Sequence, residues 1–167
     1  MAQTRGEPAE IISVLNLKGG VGKTHTTWLL AGVCSERRQR CLCVDLDTQG
    51  NLTRNLLGNH SPIPGVEEVF HPGNDADLRS LIRKSPLKFV DLVPASAALG
   101  PFDLAHQRAW EAADLQRSLV DAFEDVRYDY DYILCDCPPR LSLVSFAALM
   151  ASDHVIIPLE AADWGAQ

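Results

Sequence analysis

The chain has 167 residues, 15 Lys and Arg against 22 Asp and Glu, and a formal net charge of −7. With 46% hydrophobic and 22% charged residues, it reads as one globular domain over 1–167 that can bury a core without disulfide or metal staples, which excludes a disordered tail, a fibrous repeat and a disulfide framework. The longest apolar run, near 142–151, is half of the roughly 20 residues a bilayer crossing needs, no charged-then-apolar leader is visible, and the acidic balance leaves room only for a local nucleic-acid-binding patch, so the expectation is a cytoplasmic protein without a membrane anchor.

Residues 11–15 form a short apolar run that predicts a buried strand, followed at once by the Gly-rich turn Lys18-Gly19-Gly20-Val21-Gly22. A helix is expected from Lys23 to about Cys34, with Leu29, Leu30 and Val33 on its apolar side, closed by a solvated basic turn over 36–40. Residues 41–44 read as a second strand ending in Asp45-Leu46-Asp47, then a Gln49-Gly50-Asn51 turn and a short helix over 53–57 stopped by Gly58. The stretch 59–77 is rich in Pro, Gly, Asn and Asp and reads as loop, with a short helix near 66–70. Further on, the pattern predicts a helix over 77–83, a strand over 89–93 broken by Pro94, and a long helix from Phe102 to about Asp125 carrying Leu115, Leu119, Ala122 and Phe123 on one face. A strand over 132–135 leads into Asp136-Cys137-Pro138-Pro139, Ser142 is placed to cap a helix through about Ala151, and 154–157 is the last expected strand. The five cysteines, Cys34, Cys41, Cys43, Cys135 and Cys137, are an odd number with C-x-C rather than C-x-x-C spacing, so they read as reduced, buried apolar residues rather than metal ligands.

Strands alternating with helices imply an α/β fold with a mainly parallel sheet. In such a sheet the Gly-rich turn, the Asp45/Asp47 pair and Asp136 all fall at strand C-terminal ends, on one edge. The segment Leu17-Lys18-Gly19-Gly20-Val21-Gly22-Lys23-Thr24 departs from the strict P-loop pattern, because Leu17 stands where the first glycine belongs. Its working parts are intact: glycines that turn backbone N–H groups toward phosphate, a helix N-terminus that favours an anion, Lys23 as a charge for the β/γ-phosphates and Thr24 as a hydroxyl for Mg²⁺. A dinucleotide fingerprint fails, since His25 stands where its third glycine would be.

The stretch Asn16-Leu17-Lys18-Gly19-Gly20-Val21-Gly22-Lys23-Thr24 resembles the deviant Walker A motif of the ParA/MinD ATPases. Asp45-Leu46-Asp47-Thr48-Gln49-Gly50-Asn51 is similar to that family's switch I, and Tyr130 to Pro139 looks like the Walker B strand and switch II of the ParA partition branch. The resemblance implies a P-loop NTPase fold, Mg²⁺–ATP as ligand, and slow hydrolysis controlling a nucleotide-sandwiched homodimer in plasmid or chromosome partition. It also implies a ParB-type activator and non-specific DNA as partners, in the cytoplasm or at the nucleoid. By position, Lys18 would be the signature lysine that reaches the partner's phosphates. Gly19, Gly20, Val21, Gly22, Lys23, Thr24 and His25 would surround the nucleotide in cis. Asp47 would orient the attacking water, and Thr24, Asp45 and Asp136 would act around the Mg²⁺, the carboxylates largely through its waters. His25, Trp28 and Arg140 depart from the family pattern. His25 is expected to pack or meet solvent rather than contact the α-phosphate region, Trp28 to be a core or interface aromatic, and Arg140 to be solvated rather than paired with phosphate or the partner subunit. Family members run about 100 residues further, so the chain is expected to be a fragment or truncated product with an incomplete sheet. The alternatives are a MinD-type positioning ATPase at a membrane and a degenerate nucleotide-binding module without turnover.

Overall fold

The computed structural model describes residues 6–58, 64–71, 77–103 and 113–160. Six strands form one sheet: β1 (Glu10–Val14), β2 (Cys41–Asp45), β3 (Arg83–Lys84), β4 (Val90–Val93), β5 (Tyr132–Asp136) and β6 (His154–Ile156), in the order β3-β4-β2-β5-β1-β6. All neighbours run parallel except β3, which pairs antiparallel with β4. The helices are α1 (Lys23–Glu36), α2 (Asn51–Leu57), α3 (Leu78–Leu81), α4 (Ala113–Gln116), α5 (Ser118–Glu124) and α6 (Leu143–Ala151), with 3-10 turns at Val66–Phe70 and Ala97–Leu99. This is the expected α/β architecture with a mainly parallel sheet.

The central strands are apolar on both sides because both faces are covered. On one face α1 and α2 bury Ala31, Cys34, Leu52 and Leu56 against Cys41, Cys43, Leu92 and Leu134. On the other, α5 and α6 bury Leu119, Phe123, Val144 and Ala147 against Ile11, Leu42, Val44 and Ile133. All five cysteines are free and buried, four in or beside strands and Cys34 on α1. The start of α6 is fixed by a capping box: the Ser145 N–H donates to the Ser142 hydroxyl, and the Ser142 N–H donates back to Ser145 Oγ at 2.8 Å.

Several expectations need correction. The buried face of α1 is Lys23, Thr27, Ala31 and Cys34, whereas Leu29 and Val33 are exposed. Small side chains at spacings of three and four let the helix lie close to the sheet, so volume rather than hydrophobicity chose the face. The helix expected over 77–83 is only the single turn α3, capped by the Asp77 carboxylate accepting from the Arg79 N–H. Arg83 and Lys84 turn out of it to form β3, where Lys84 Nζ donates to Asp91 at 2.8 Å. Strand β4 begins at Val90 rather than Phe89, because Phe89 sits in the left-handed region at φ 65°. Phe102 and Asp103 belong to the turn after the 3-10 segment Ala97–Leu99, tied back by the Asp103 N–H donating to the carbonyls of Leu99 and Gly100. The described part of the expected long helix is α4 and α5, and residues 104–112 lie outside the described residues. So do 59–63 and 72–76 of the expected loop and 161–167 of the unpatterned end.

Candidate active site

The register of the sheet assembles the site. Val14 of β1 pairs with Asp136 of β5, and Asp136 pairs with Asp45 of β2. Adjacent strands lie about 4.8 Å apart, so the exit of β1 and the two carboxylates form a row along one sheet edge. From Val14 the chain passes into the phosphate loop. The Asn16 side chain braces this exit, its Oδ1 accepting from the Lys18 N–H at 2.8 Å and its Nδ2 donating to the Pro158 carbonyl at 2.8 Å. Gly20 and Gly22 adopt φ 79° and 89°, conformations that strain any residue with a Cβ, and they curl the loop onto the start of α1.

Gly22 is the N-cap of α1, and no side chain caps the helix. Its first N–H groups and the positive end of its dipole therefore face the loop. Lys23 is 7% exposed, and its Nζ donates to the Lys18 carbonyl at 3.0 Å, which folds the ammonium back under the loop. Lys18 points the other way: its side chain is largely exposed and forms an ion pair with Glu160. The two lysines thus present one cation inside the loop and one outside it.

The carboxylates are buried to different ends. Asp45 is fully buried, with Oδ2 accepting from the Thr53 N–H at 2.8 Å and from the Thr53 hydroxyl at 2.7 Å, and Oδ1 accepting from the Asp47 N–H. Burial pushes it up to about 6 against the pull of those hydrogen bonds. Asp47 is 8% exposed and closes the β2–α2 turn by accepting from the Gln49 N–H at 2.9 Å. Asp136 is 1% exposed, and neither of its oxygens has a hydrogen-bond partner. Burial first and the Asp45 charge second push it up to about 7, while the neighbouring Thr24 hydroxyl and Lys23 ammonium oppose the rise without making a well-formed hydrogen bond to it. A buried carboxylate with open lone pairs beside a hydroxyl fits a hard divalent cation, whose charge would offset the desolvation. Among the described residues no three His, Cys, Asp or Glu side chains converge as a protein cage, so Thr24 and Asp136 would supply the few protein contacts of a hydrated Mg²⁺.

His25 and Trp28 lie exposed on the first turns of α1, their rings 6.0 Å apart, so Trp28 is a surface aromatic and not a core one. Arg140 is exposed, as expected, and its Nη1 lies 3.3 Å from Oδ2 of the buried Asp103. Asp103 is a buried carboxylate that the sequence pattern does not mark. It stands inside an expected helix with no motif around it, and only the turn after Ala97–Leu99 brings it to the loop that follows Asp136.

Residues 9–167 match the AAA domain family. The sporulation initiation inhibitor protein Soj of Bacillus subtilis is 35% identical over 153 residues, covering 90% of this chain and 58% of that protein. The chromosome partitioning protein ParA of Myxococcus xanthus is 36% identical over 168 residues, covering 96% of this chain and 57% of that one. The chain belongs to the ParA/MinD family of P-loop ATPases, on its partition branch. It spans less than three fifths of the length of these two relatives. Among solved structures, a plasmid partition protein of Borrelia burgdorferi bound to AMPPNP superposes with a TM-score of 0.77 at 29% identity, covering 95% of this chain and 65% of that one. A cobyrinic acid a,c-diamide synthase of Mycobacterium smegmatis, with bound ATP analog and magnesium, superposes with a TM-score of 0.82 at 29% identity, covering 95% of this chain and 63% of that one. No helix among the described residues is long and apolar enough to cross a membrane.

Proposed function

We propose that this chain binds Mg²⁺–ATP at the loop Lys18–Thr24, supports its slow hydrolysis, and through that cycle governs a nucleotide-sandwiched homodimer in plasmid or chromosome partition. The observation that carries this reading is the single sheet edge on which an uncapped helix start, the enfolded Lys23 and the open Asp136 carboxylate meet. It is supported by the match to partition ATPases and by the nucleotides in the similar solved structures.

The residues divide the work by position. The first amides of α1 and the glycines of the loop cradle phosphate oxygens, and Lys23 adds a fixed cation in a site with little water. Thr24 and Asp136 hold the metal, which when bound neutralises phosphate charge and polarises the phosphoryl group. Asp45 already spends its lone pairs on Thr53 and Asp47, so it acts on a hydrated ion through its charge. Asp47 follows it by two residues at the mouth of the site and orients the attacking water. Its other task, holding the Gln49 N–H, keeps the carboxylate in one rotamer. Lys18 leaves Glu160 to meet the partner's phosphates, where the spread charge of phosphoryl transfer rewards an added cation. The signature lysine and the motif match extend the reading to a ParB-type activator and non-specific DNA as partners.

The test is phosphate release with Mg²⁺–ATP by the intact protein and by Asp47→Ala. A group that acts mainly in the transition state loses turnover while ATP affinity stays within about twofold. Loss of binding and turnover in equal measure would make Asp47 a fold residue and leave the hydrolytic reading without its water-orienting group.

A further inference from the structure

Asp103 is 1% exposed, and neither carboxylate oxygen has a hydrogen-bond partner. A buried carboxylate without such partners is costly, and a core selected for packing alone would hold an apolar residue there. Among the described residues its ion-pair partner is the Arg140 guanidinium, with Nη1 at 3.3 Å from Oδ2. Burial pushes Asp103 up, while the Ser142 hydroxyl and Arg140 pull it down, and the charge of Asp47 is close enough to act on it. Arg140 is the fourth residue after Asp136, on the loop leaving the C-terminal end of β5, and its side chain is 44% exposed. A guanidinium has five N–H donors in a rigid fork. One end of the fork is ion-paired with Asp103, the rest is exposed, and the loop that carries it leaves the same strand end as Asp136.

We propose that Asp103 is a positioning residue for ATP hydrolysis, acting through Arg140, whose guanidinium it anchors so that the free donors meet the transferring phosphoryl group. The proposal rests on the ATPase reading above. It assigns Arg140 a task distinct from that of Lys23, which is folded under the loop and serves binding, and from that of Lys18, which serves the partner subunit. An anchored arginine matters most when charge spreads over the phosphoryl oxygens, so its loss lowers kcat rather than affinity. Arg140→Lys keeps the charge but loses the two-sided fork.

The experiment measures kcat and KM for Mg²⁺–ATP hydrolysis in the intact protein, with ATP affinity by calorimetry, for wild type, Asp103→Asn, Arg140→Ala, Arg140→Lys and the double variant Asp103→Asn/Arg140→Ala. Asp103→Asn and Arg140→Ala are each expected to lower kcat at least about tenfold with KM within about twofold. The double variant should be no worse than the poorer single one, and Arg140→Lys should recover part of the loss. If Asp103→Asn does not fold, Arg140→Ala and Arg140→Lys decide the matter, since Arg140 is half-exposed. Wild-type turnover with unchanged kcat in the variants, or losses that multiply in the double variant, would overturn the positioning role while leaving the ATPase reading intact. A wild-type protein that neither binds nor hydrolyses ATP would take the ATPase reading down, and this proposal with it.

Discussion

Replacing Asp136 by Asn should make the nucleotide-free chain more stable, and increasingly so as pH rises. The carboxyl is buried, unpartnered and pushed from 3.8 up to about 7, chiefly by burial and then by Asp45. At about 1.4 kcal/mol per pKa unit, ionising it in the folded chain costs on the order of 4 kcal/mol more than in the unfolded chain. The folded chain holds this proton more tightly than the unfolded one. Stability from the protonated form is therefore fully present below about pH 4 and is lost as pH rises through about 7. Asparagine cannot ionise, so the gain of Asp136→Asn over wild type should be under about 1 kcal/mol near pH 4 and a few kcal/mol near pH 8. Comparing the two chains at each pH cancels the titration of groups that do not interact with Asp136, and the relief of Asp45, whose charge acts on it, adds to the gain in the same direction. Urea unfolding at both pH values, without nucleotide or divalent cation, reads the difference directly. The same variant should lose the stabilisation that Mg²⁺ with nucleotide confers on wild type. If Asp136→Asn is destabilised equally at pH 4 and pH 8, Asp136 is satisfied in the folded chain and the argument for a cation at its oxygens fails.

The two partners of the exposed ion pair at the loop should behave in opposite senses. Lys18→Ala is expected to weaken ATP-dependent dimerisation at least about tenfold, measured by sedimentation with a slowly hydrolysed ATP analogue, while ATP affinity of the monomer changes by less than about twofold. An unchanged dimer fraction would refute a role across the interface. Glu160→Gln should strengthen the dimer no more than about fivefold, because the pair it removes is exposed, and the gain should vanish at about 1 M salt. A weaker dimer in Glu160→Gln would mean that Glu160 serves the assembled state rather than restraining Lys18.

The candidate site was legible in the sequence where local chemistry and chain position coincide. The glycines, Lys23 and Thr24 announce a phosphate loop because only that backbone needs positive φ beside a lysine at a helix start, and Gly20 and Gly22 adopt it. Asp45 and Asp136 were legible because apolar runs ended on them, and the β2–β5 register then sets them side by side. The strands themselves fall within a residue of expectation at β1, β2, β5 and β6. Asp103 and Arg140 were not legible as a pair, since they meet through a turn far from any motif and neither has a periodic pattern to mark it. The face of α1 was misread because Leu29 and Val33 are the larger apolar residues, while the contact with the sheet uses Thr27, Ala31 and Cys34. Strand β3 was missed for a related reason: Arg83 and Lys84 have no strand propensity of their own and are held by pairing with Leu92 and Asp91.

In the proposed function, a nucleotide's phosphates sit on the loop around Lys23. The most direct test is calorimetric titration of ATP, in the presence of Mg²⁺, into the wild-type protein and into Lys23→Ala. The ammonium is folded under the loop and backbone amides alone supply no net charge, so the variant should lose at least about tenfold in affinity while keeping the wild-type fold by circular dichroism. Equal affinities for the two proteins would contradict the assignment of this loop as the phosphate site.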